Sequence, residues 1–580
     1  MQNCEATPSN RWSFWLSILP AFGILYLSWQ GVILSGDDVL YARLAAEAAS
    51  GSPLFGVNTH TYRIGFIFPM AVSYKIFGIN DFSTLIPAVL SSILMIALSA
   101  FAANRLFGKP AGVFAAYLCA LNPILFRNGT TAMADIPAGF FFGLFVVGWV
   151  LLATDRVKNR AFWGFVTGVA SVWSVSTRIS TAPMMLLLWA FFFLFAWRDG
   201  SLGRLPYVSM IAGALMVGLP YLFCFWWYTG NPLFFIQAAQ SGYNLPGAPW
   251  VDPYQGGRFW FRISGLSALR ASVEGFFFGT FPILLSLLFI NRSGLNNKEL
   301  TALRCFLAAC LVPVAILSHF STSFTRWTPV QLDLRFGSPV IIPSAILVGW
   351  ACIHLYEYWS RTRIRVVVAA ALLFCFALTI RAVLSGDEGA LAGGIVSMVM
   401  AGLICWDPAK IKRILPYSLV LLLLFNFISY RIAEYPNLVS ENRKNRHEGS
   451  SLSGDVKLPV LADSVTGQYL PYLNAFHPDM VIETWKPAGA PSPLFLWVPQ
   501  RDRAWDEPYL IAWYPWRAYA SSNRFGGKVP EWVLSEVRRG ERVVKFSDEK
   551  REVNPFDHVK LNINADLKWP AAGIYRIAKQ

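Results

Sequence analysis

Apolar runs of membrane-spanning length recur from Trp12 to Tyr430, and they leave little choice of fold. A helix of about 20 apolar residues crosses the hydrocarbon core of a bilayer because its backbone hydrogen bonds are all satisfied within the segment. Hydrophobic residues make up 55% of the 580 and charged residues only 14%, too little charge to cover a soluble surface of this size. The expected fold class is therefore a polytopic α-helical membrane protein. The first run, residues 12–34, has Arg11 before it and no small-residue cleavage site after it. It reads as a retained span, not a signal peptide.

Charge placement predicts the path of the chain. The net charge of +15 invites a nucleic-acid partner. That partner is rejected, because Lys and Arg cluster in short loops between apolar runs, as the positive-inside rule requires. Thirteen spans are expected, at about 12–34, 82–103, 111–126, 136–153, 161–177, 181–197, 206–228, 272–290, 302–320, 337–357, 366–381, 390–405 and 414–430. Six basic loops then face the cytoplasm, and every dense polar loop faces the other side. Residues 64–78 are apolar but short, and hold Pro69 and Lys75. They read as an interfacial or re-entrant piece of the first outer loop, 35–81; as a full span they would invert every later loop. The expected domains are 1–431, membrane-embedded, and 432–580, an extracytoplasmic α/β domain. The latter is charged, rich in Pro and Trp, and holds β-like runs at 459–462, 510–513 and 574–577 and a helical stretch at 531–538. Residues 441–453 are polar and read as a linker. Seven of the eight cysteines lie in or beside apolar runs, without metal-type spacing or a disulfide framework.

Polar chemistry concentrates in residues 35–63, directly after the first span. Asp37, Asp38, Tyr41, Arg43 and Glu47 come first, and His60, Tyr62 and Arg63 close the stretch. Density of this kind between membrane segments marks a site more often than a spacer. Each group keeps a plainer reading. Asp37 and Asp38 suit a general base, a metal ligand or a surface ion pair. Asp135 stands at the head of a span with Pro137 behind it, where an acid serves equally as a site residue or a helix cap. Arg63, His60 and Arg335 suit a lipid phosphate or simple snorkelling to the headgroups, and Asp333 could pair with Arg335. No glycine-rich phosphate loop, nucleotide fingerprint or His/Cys cluster is present in the sequence. An activated group, if one is used, is expected to arrive on a lipid.

An ordered set of residues resembles a known family. Asp37-Asp38-Val39-Leu40-Tyr41 is followed by Gly51, by Arg63 before an apolar stretch ending Phe77-Gly78, and by Asp81-Phe82 opening a span that ends Arg105-Leu106-Phe107-Gly108. Arg335-Phe336 with Pro343 adds to the set. Over residues 12–430 the pattern is similar to the glycosyltransferase C superfamily, and within it to bacterial relatives of protein O-mannosyltransferases and lipid A aminoarabinose transferases. The resemblance implies that Asp37 is the catalytic base, that Asp135 is a second catalytic acid, and that Arg63 and Arg335 bind phosphate. Asp38, Tyr41 and His60 are expected among the substrate-binding residues. The implied partners are a polyprenyl-phosphate sugar donor, a glycan, lipid or protein acceptor, and membrane lipids; no cofactor is implied, though a divalent metal is compatible. The implied reaction transfers the sugar with inversion at the extracytoplasmic face of a bacterial inner membrane. Two departures bear on the substrate. Asp-Asp stands where the family usually has Asp-Glu, and Arg63-Ile64-Gly65 stands where the aminoarabinose branch has Lys-Pro-Pro. The rival class is a transporter or flippase of a lipid-linked sugar, which needs the cations but no base. The sequence shows no internal repeat of the kind many transporters carry.

Overall fold

The computed structural model describes residues 8–33, 37–53, 60–199, 203–243, 296–319 and 334–357. It also describes 458–463, 466–473, 481–486, 500–513, 529–545 and 573–578, with scattered single positions from 424 to 446. The spans expected at 272–290, 366–381 and 390–405, and most of 414–430, lie outside these residues. The chain divides into two compact units: residues 1–31, 54–70 and 85–437, and residues 32–53, 71–84 and 438–580.

The described residues up to 243 form eleven helices: α1 (Pro8–Leu27), α2 (Asp37–Ser50), α3 (Ile64–Phe77), α4 (Asp81–Phe107), α5 (Lys109–Ala120), α6 (Pro123–Asn128), α7 (Asp135–Ala153), α8 (Arg160–Thr177), α9 (Thr181–Asp199), α10 (Arg204–Thr229) and α11 (Phe234–Tyr243). After it come α12 (Asn297–His319), a 3-10 turn (Leu334–Val340) and α13 (Ile341–Glu357). Among the described residues four helices are long and apolar enough to cross a membrane: Asp81–Phe107, Asp135–Ala153, Arg204–Thr229 and Asn297–Leu317. The chain is a multi-pass membrane protein.

One predicted span is broken. Residues 111–126 fall into α5 and α6, because Asn122 precedes Pro123 and the proline ring keeps it out of the helical region. Asn122 is extended (φ −66°, ψ 127°), and its side chain caps α6 by accepting the Ile124 N–H. The 3-10 turn likewise replaces the start of the span expected at 337–357, and it holds Pro339.

The second unit contains a six-stranded sheet: β1 (Val460–Ala462), β2 (Ile482–Trp485), β3 (Gln500–Arg501), β4 (Tyr509–Trp513), β5 (Glu541–Lys545) and β6 (Gly573–Ile577). Their order is β3-β2-β1-β4-β6-β5. The first four run parallel, and β6 is antiparallel to both β4 and β5. One face, with Leu461, Trp485, Ile511 and Trp513, packs on α15 (Glu531–Arg539) through Val533, Leu534 and Val537. Tyr509 donates to Glu536 at 2.8 Å; burial first, and then that carboxylate, push its hydroxyl pKa up. A shorter helix, α14 (Thr466–Leu473), lies against β1 and β2, and α2 packs on α14.

Candidate active site

The expected site residues fall into two sets, one in each unit. The second unit holds Asp37, Asp38 and Tyr41, all on α2. Two acids open this helix, where the unsatisfied N–H groups and the helix dipole favour negative charge. Successive helical residues point about 100° apart, so the acids face different surroundings. Asp38 is fully buried, and its Oδ2 accepts the backbone N–H of Ile33 at 3.2 Å. Asp37 is half-buried. Tyr41, one turn on, is fully buried. Further along, Arg43 and Glu47 pair at 2.9 Å. Burial raises the Glu47 carboxyl pKa, and the arginine offsets part of that shift.

The first unit holds Asp135, Arg63, Arg335 and His60. Asp135 is the first residue of α7, but it does not cap it. Ala134 occupies the cap position without a side-chain hydrogen bond, and the Asp135 carboxylate pairs with the Arg178 guanidinium. Both are buried, at 1% and 6% exposure. Arg178 also donates from Nε to Ser180 Oγ at 3.0 Å, and its guanidinium lies 4.1 Å from the ring centre of Phe336. Ser338 Oγ donates to the Asp135 carbonyl at 2.6 Å. Arg335 reaches toward the Met133 sulfur at 3.5 Å and lies 5.5 Å from the same Phe336 ring. Arg178, the partner of Asp135, and Arg335 thus lie at one aromatic ring. Gly139 makes this possible: a Cβ there would stand 2.7 Å from the Ser338 carbonyl oxygen, so α7 and the 3-10 turn touch backbone to backbone.

Arg63, 5% exposed, precedes α3. Gly65 presses this segment against the end of α8, where a Cβ would stand 2.5 Å from both Ser176 Oγ and Thr177 Oγ1. Trp173 Nε1 donates to the Gly65 carbonyl at 3.0 Å, and Tyr221 donates to the Tyr62 carbonyl at 3.1 Å. The segment that ends in Arg63 and the segment that ends in Arg178 are therefore packed together. His60 is half-buried, and its carbonyl accepts the Arg63 N–H at 3.1 Å.

Among the described residues of the first unit, the buried charged side chains are Arg63, Asp135 and Arg178. Arg335 shares the Phe336 ring with Arg178. Arginines suit an anion, and guanidinium forks match phosphate oxygens. Arg178 falls in the short gap, 178–180, between the spans expected at 161–177 and 181–197. A signal was present: the expected path puts it on the non-cytoplasmic side, where the positive-inside rule disfavours a cation without a task.

Residues 64–226 match the family model described as dolichyl-phosphate-mannose-protein mannosyltransferase. The structure is similar to that of ArnT from Cupriavidus metallidurans bound to undecaprenyl phosphate, with a TM-score of 0.58 and 14% identity over 98% of each chain. The chain has the fold of the glycosyltransferase C superfamily. ArnT in the apo state gives the same TM-score and identity over 89% of this chain and 95% of that one. The Archaeoglobus fulgidus oligosaccharyltransferase tethered with an acceptor peptide aligns at a TM-score of 0.48 and 14% identity, over 81% of this chain and 64% of that one. No curated protein matches in sequence. Within this glycosyltransferase C fold, the matched segment 64–226 includes Asp135 and Arg178 but not Asp37, Asp38, Arg63 or Arg335.

Proposed function

We propose that the chain is a membrane glycosyltransferase that takes a sugar from a polyprenyl-phosphate carrier. It places that sugar on a glycan, lipid or protein acceptor at the extracytoplasmic face of the inner membrane, along the thirteen-span path expected from the sequence. The reading is carried by arginines of the first unit: Arg178 and Arg335 at the Phe336 ring, and the buried Arg63 just before the segment packed on the end of α8. ArnT, which shares the fold, has been seen with undecaprenyl phosphate bound, and the family model over 64–226 is described by a lipid-phosphate sugar donor.

The chemistry follows from charge. The bond between the anomeric carbon and the phosphate oxygen breaks, and negative charge builds on the departing polyprenyl phosphate. Fixed cations in a water-poor site stabilise that charge as it develops. An acceptor oxygen attacks the opposite side of the anomeric carbon, which inverts the configuration, and its proton passes to Asp37. Asp37 is suited to this because it is half-buried while Asp38 carries the anchoring hydrogen bond. Asp135 pairs with Arg178 and sets the position of that guanidinium. The reading requires no cofactor.

The test is the affinity of the detergent-purified chain for undecaprenyl phosphate. Arg63→Ala should weaken it with the melting temperature retained. Wild-type affinity in both Arg63→Ala and Arg335→Ala would remove the phosphate assignment.

A further inference from the structure

Arg446 lies in the stretch that reads from the sequence as a polar linker, yet two elements hold it. Its Nη2 donates to the Val32 carbonyl at 3.3 Å and pairs with Asp81 Oδ2 at 2.7 Å. The other Asp81 oxygen, Oδ1, accepts the Tyr472 hydroxyl at 2.7 Å. Tyr472 belongs to α14, the helix on which α2 packs. The residue after Val32 is Ile33, whose N–H donates to Asp38 Oδ2. A continuous path therefore runs from Tyr472 through Asp81 and Arg446 to the 32–33 backbone and on to Asp38, the neighbour of Asp37. Every member lies in the second unit.

We propose that Arg446 is a positioning residue for the acid-bearing start of α2. It fixes the 32–33 backbone, that backbone fixes Asp38, and Asp38 fixes the direction in which Asp37 points. The inference rests on the reading of Asp37 as the base. A part-exposed ion pair such as Arg446–Asp81 adds little to global stability. Misplacing a reacting group by about 1 Å costs on the order of 100-fold in rate. The two roles are therefore separable: loss of Arg446 should loosen a short segment and cut turnover, and leave the fold intact.

The experiment uses the full chain in detergent, with undecaprenyl phosphate as the binding probe and hydrogen exchange read by mass spectrometry. In Arg446→Ala, peptides covering 30–40 should exchange about tenfold faster or more, while exchange elsewhere and affinity for undecaprenyl phosphate stay as in wild type. Arg446→Lys should restore much of the protection, since an ammonium still reaches one acceptor. In cells lacking the chain, Arg446→Ala should restore its envelope product far less than wild type does, and Arg446→Lys should lie between them. Unchanged exchange at 30–40 overturns the proposal. So does faster exchange throughout together with loss of probe binding, because a merely structural residue behaves that way. Asp37→Asn, run in parallel, separates the two ideas. If Asp37→Asn restores the product, the base assignment fails. If Asp37→Asn is inactive and Arg446→Ala is normal in both readouts, the positioning role alone fails.

Discussion

Asp135 and Asp37 look alike in the sequence: each is an acid that opens a helix after a polar stretch. The fold treats them differently. Asp135 is 1% exposed, paired with a buried arginine, and tied through its own carbonyl to Ser338. Asp37 is half-buried at the head of a helix, and the adjacent Asp38 takes the anchoring hydrogen bond. A buried ion pair holds its carboxylate in one place, which suits positioning. An acid with some solvent access, beside a neighbour that anchors the helix start, suits contact with a substrate. We propose that environment, rather than residue type or helix position, makes Asp37 the base and Asp135 a positioning residue.

The contrast breaks most easily at Asp37. Asp37→Asn keeps the size of the side chain but cannot take a proton, and loss of general-base help costs about 10²–10⁴-fold in rate. Turnover of a sugar-charged polyprenyl phosphate should fall by that amount, with affinity for undecaprenyl phosphate unchanged. Near-normal turnover would end the contrast. The complementary change is Arg178→Ala, which strands a buried carboxylate. It should cost about 3–5 kcal/mol of stability, read as a marked drop in melting temperature, and Asp135→Asn in the same chain should recover part of the loss. If Arg178→Ala melts like wild type, Asp135 is not committed to the pair.

Arg335→Ala sharpens the picture at the Phe336 ring. Removing one charged hydrogen-bonding partner of a phosphate is worth roughly 1.5–3 kcal/mol, so affinity for undecaprenyl phosphate should fall about 10- to 100-fold without unfolding. An unchanged dissociation constant would leave Arg335 a headgroup anchor. Asp38→Asn should have the smallest effect, since an amide oxygen still accepts the Ile33 N–H. If instead it costs as much as Asp37→Asn, and a chelator reproduces the loss, the two acids share a metal.

The helices were legible because apolar length reports on them directly: α4, α7, α8 and α10 lie close to the spans expected at 82–103, 136–153, 161–177 and 206–228. The break at Asn122-Pro123 was written in the sequence as well, but the continuous apolar run around it masked the proline signal. In the sheet, β1, β4 and β6 overlap runs that read as strands, whereas β2 is four residues of which two are polar, and period-2 reasoning has little purchase there. The pairing of Asp135 with Arg178 could not be read, because it joins the starts and ends of different helices and depends on close backbone contacts at Gly139 and Gly65. The packing of α2 on α14, and the hold of Arg446 on Val32, join segments hundreds of residues apart, which no local pattern encodes.

The proposed transfer of a sugar from a polyprenyl phosphate, with Asp37 as the base, is open to test in cells. The most direct measurement is mass spectrometry of the envelope lipids and glycans of cells lacking the chain, complemented by wild type or by Asp37→Asn. One species should lose the mass of a single sugar while the sugar-charged polyprenyl phosphate accumulates. Wild type should reverse both changes, and Asp37→Asn neither. Full restoration by Asp37→Asn would contradict the account, and would favour a carrier that translocates the lipid-linked sugar and transfers nothing.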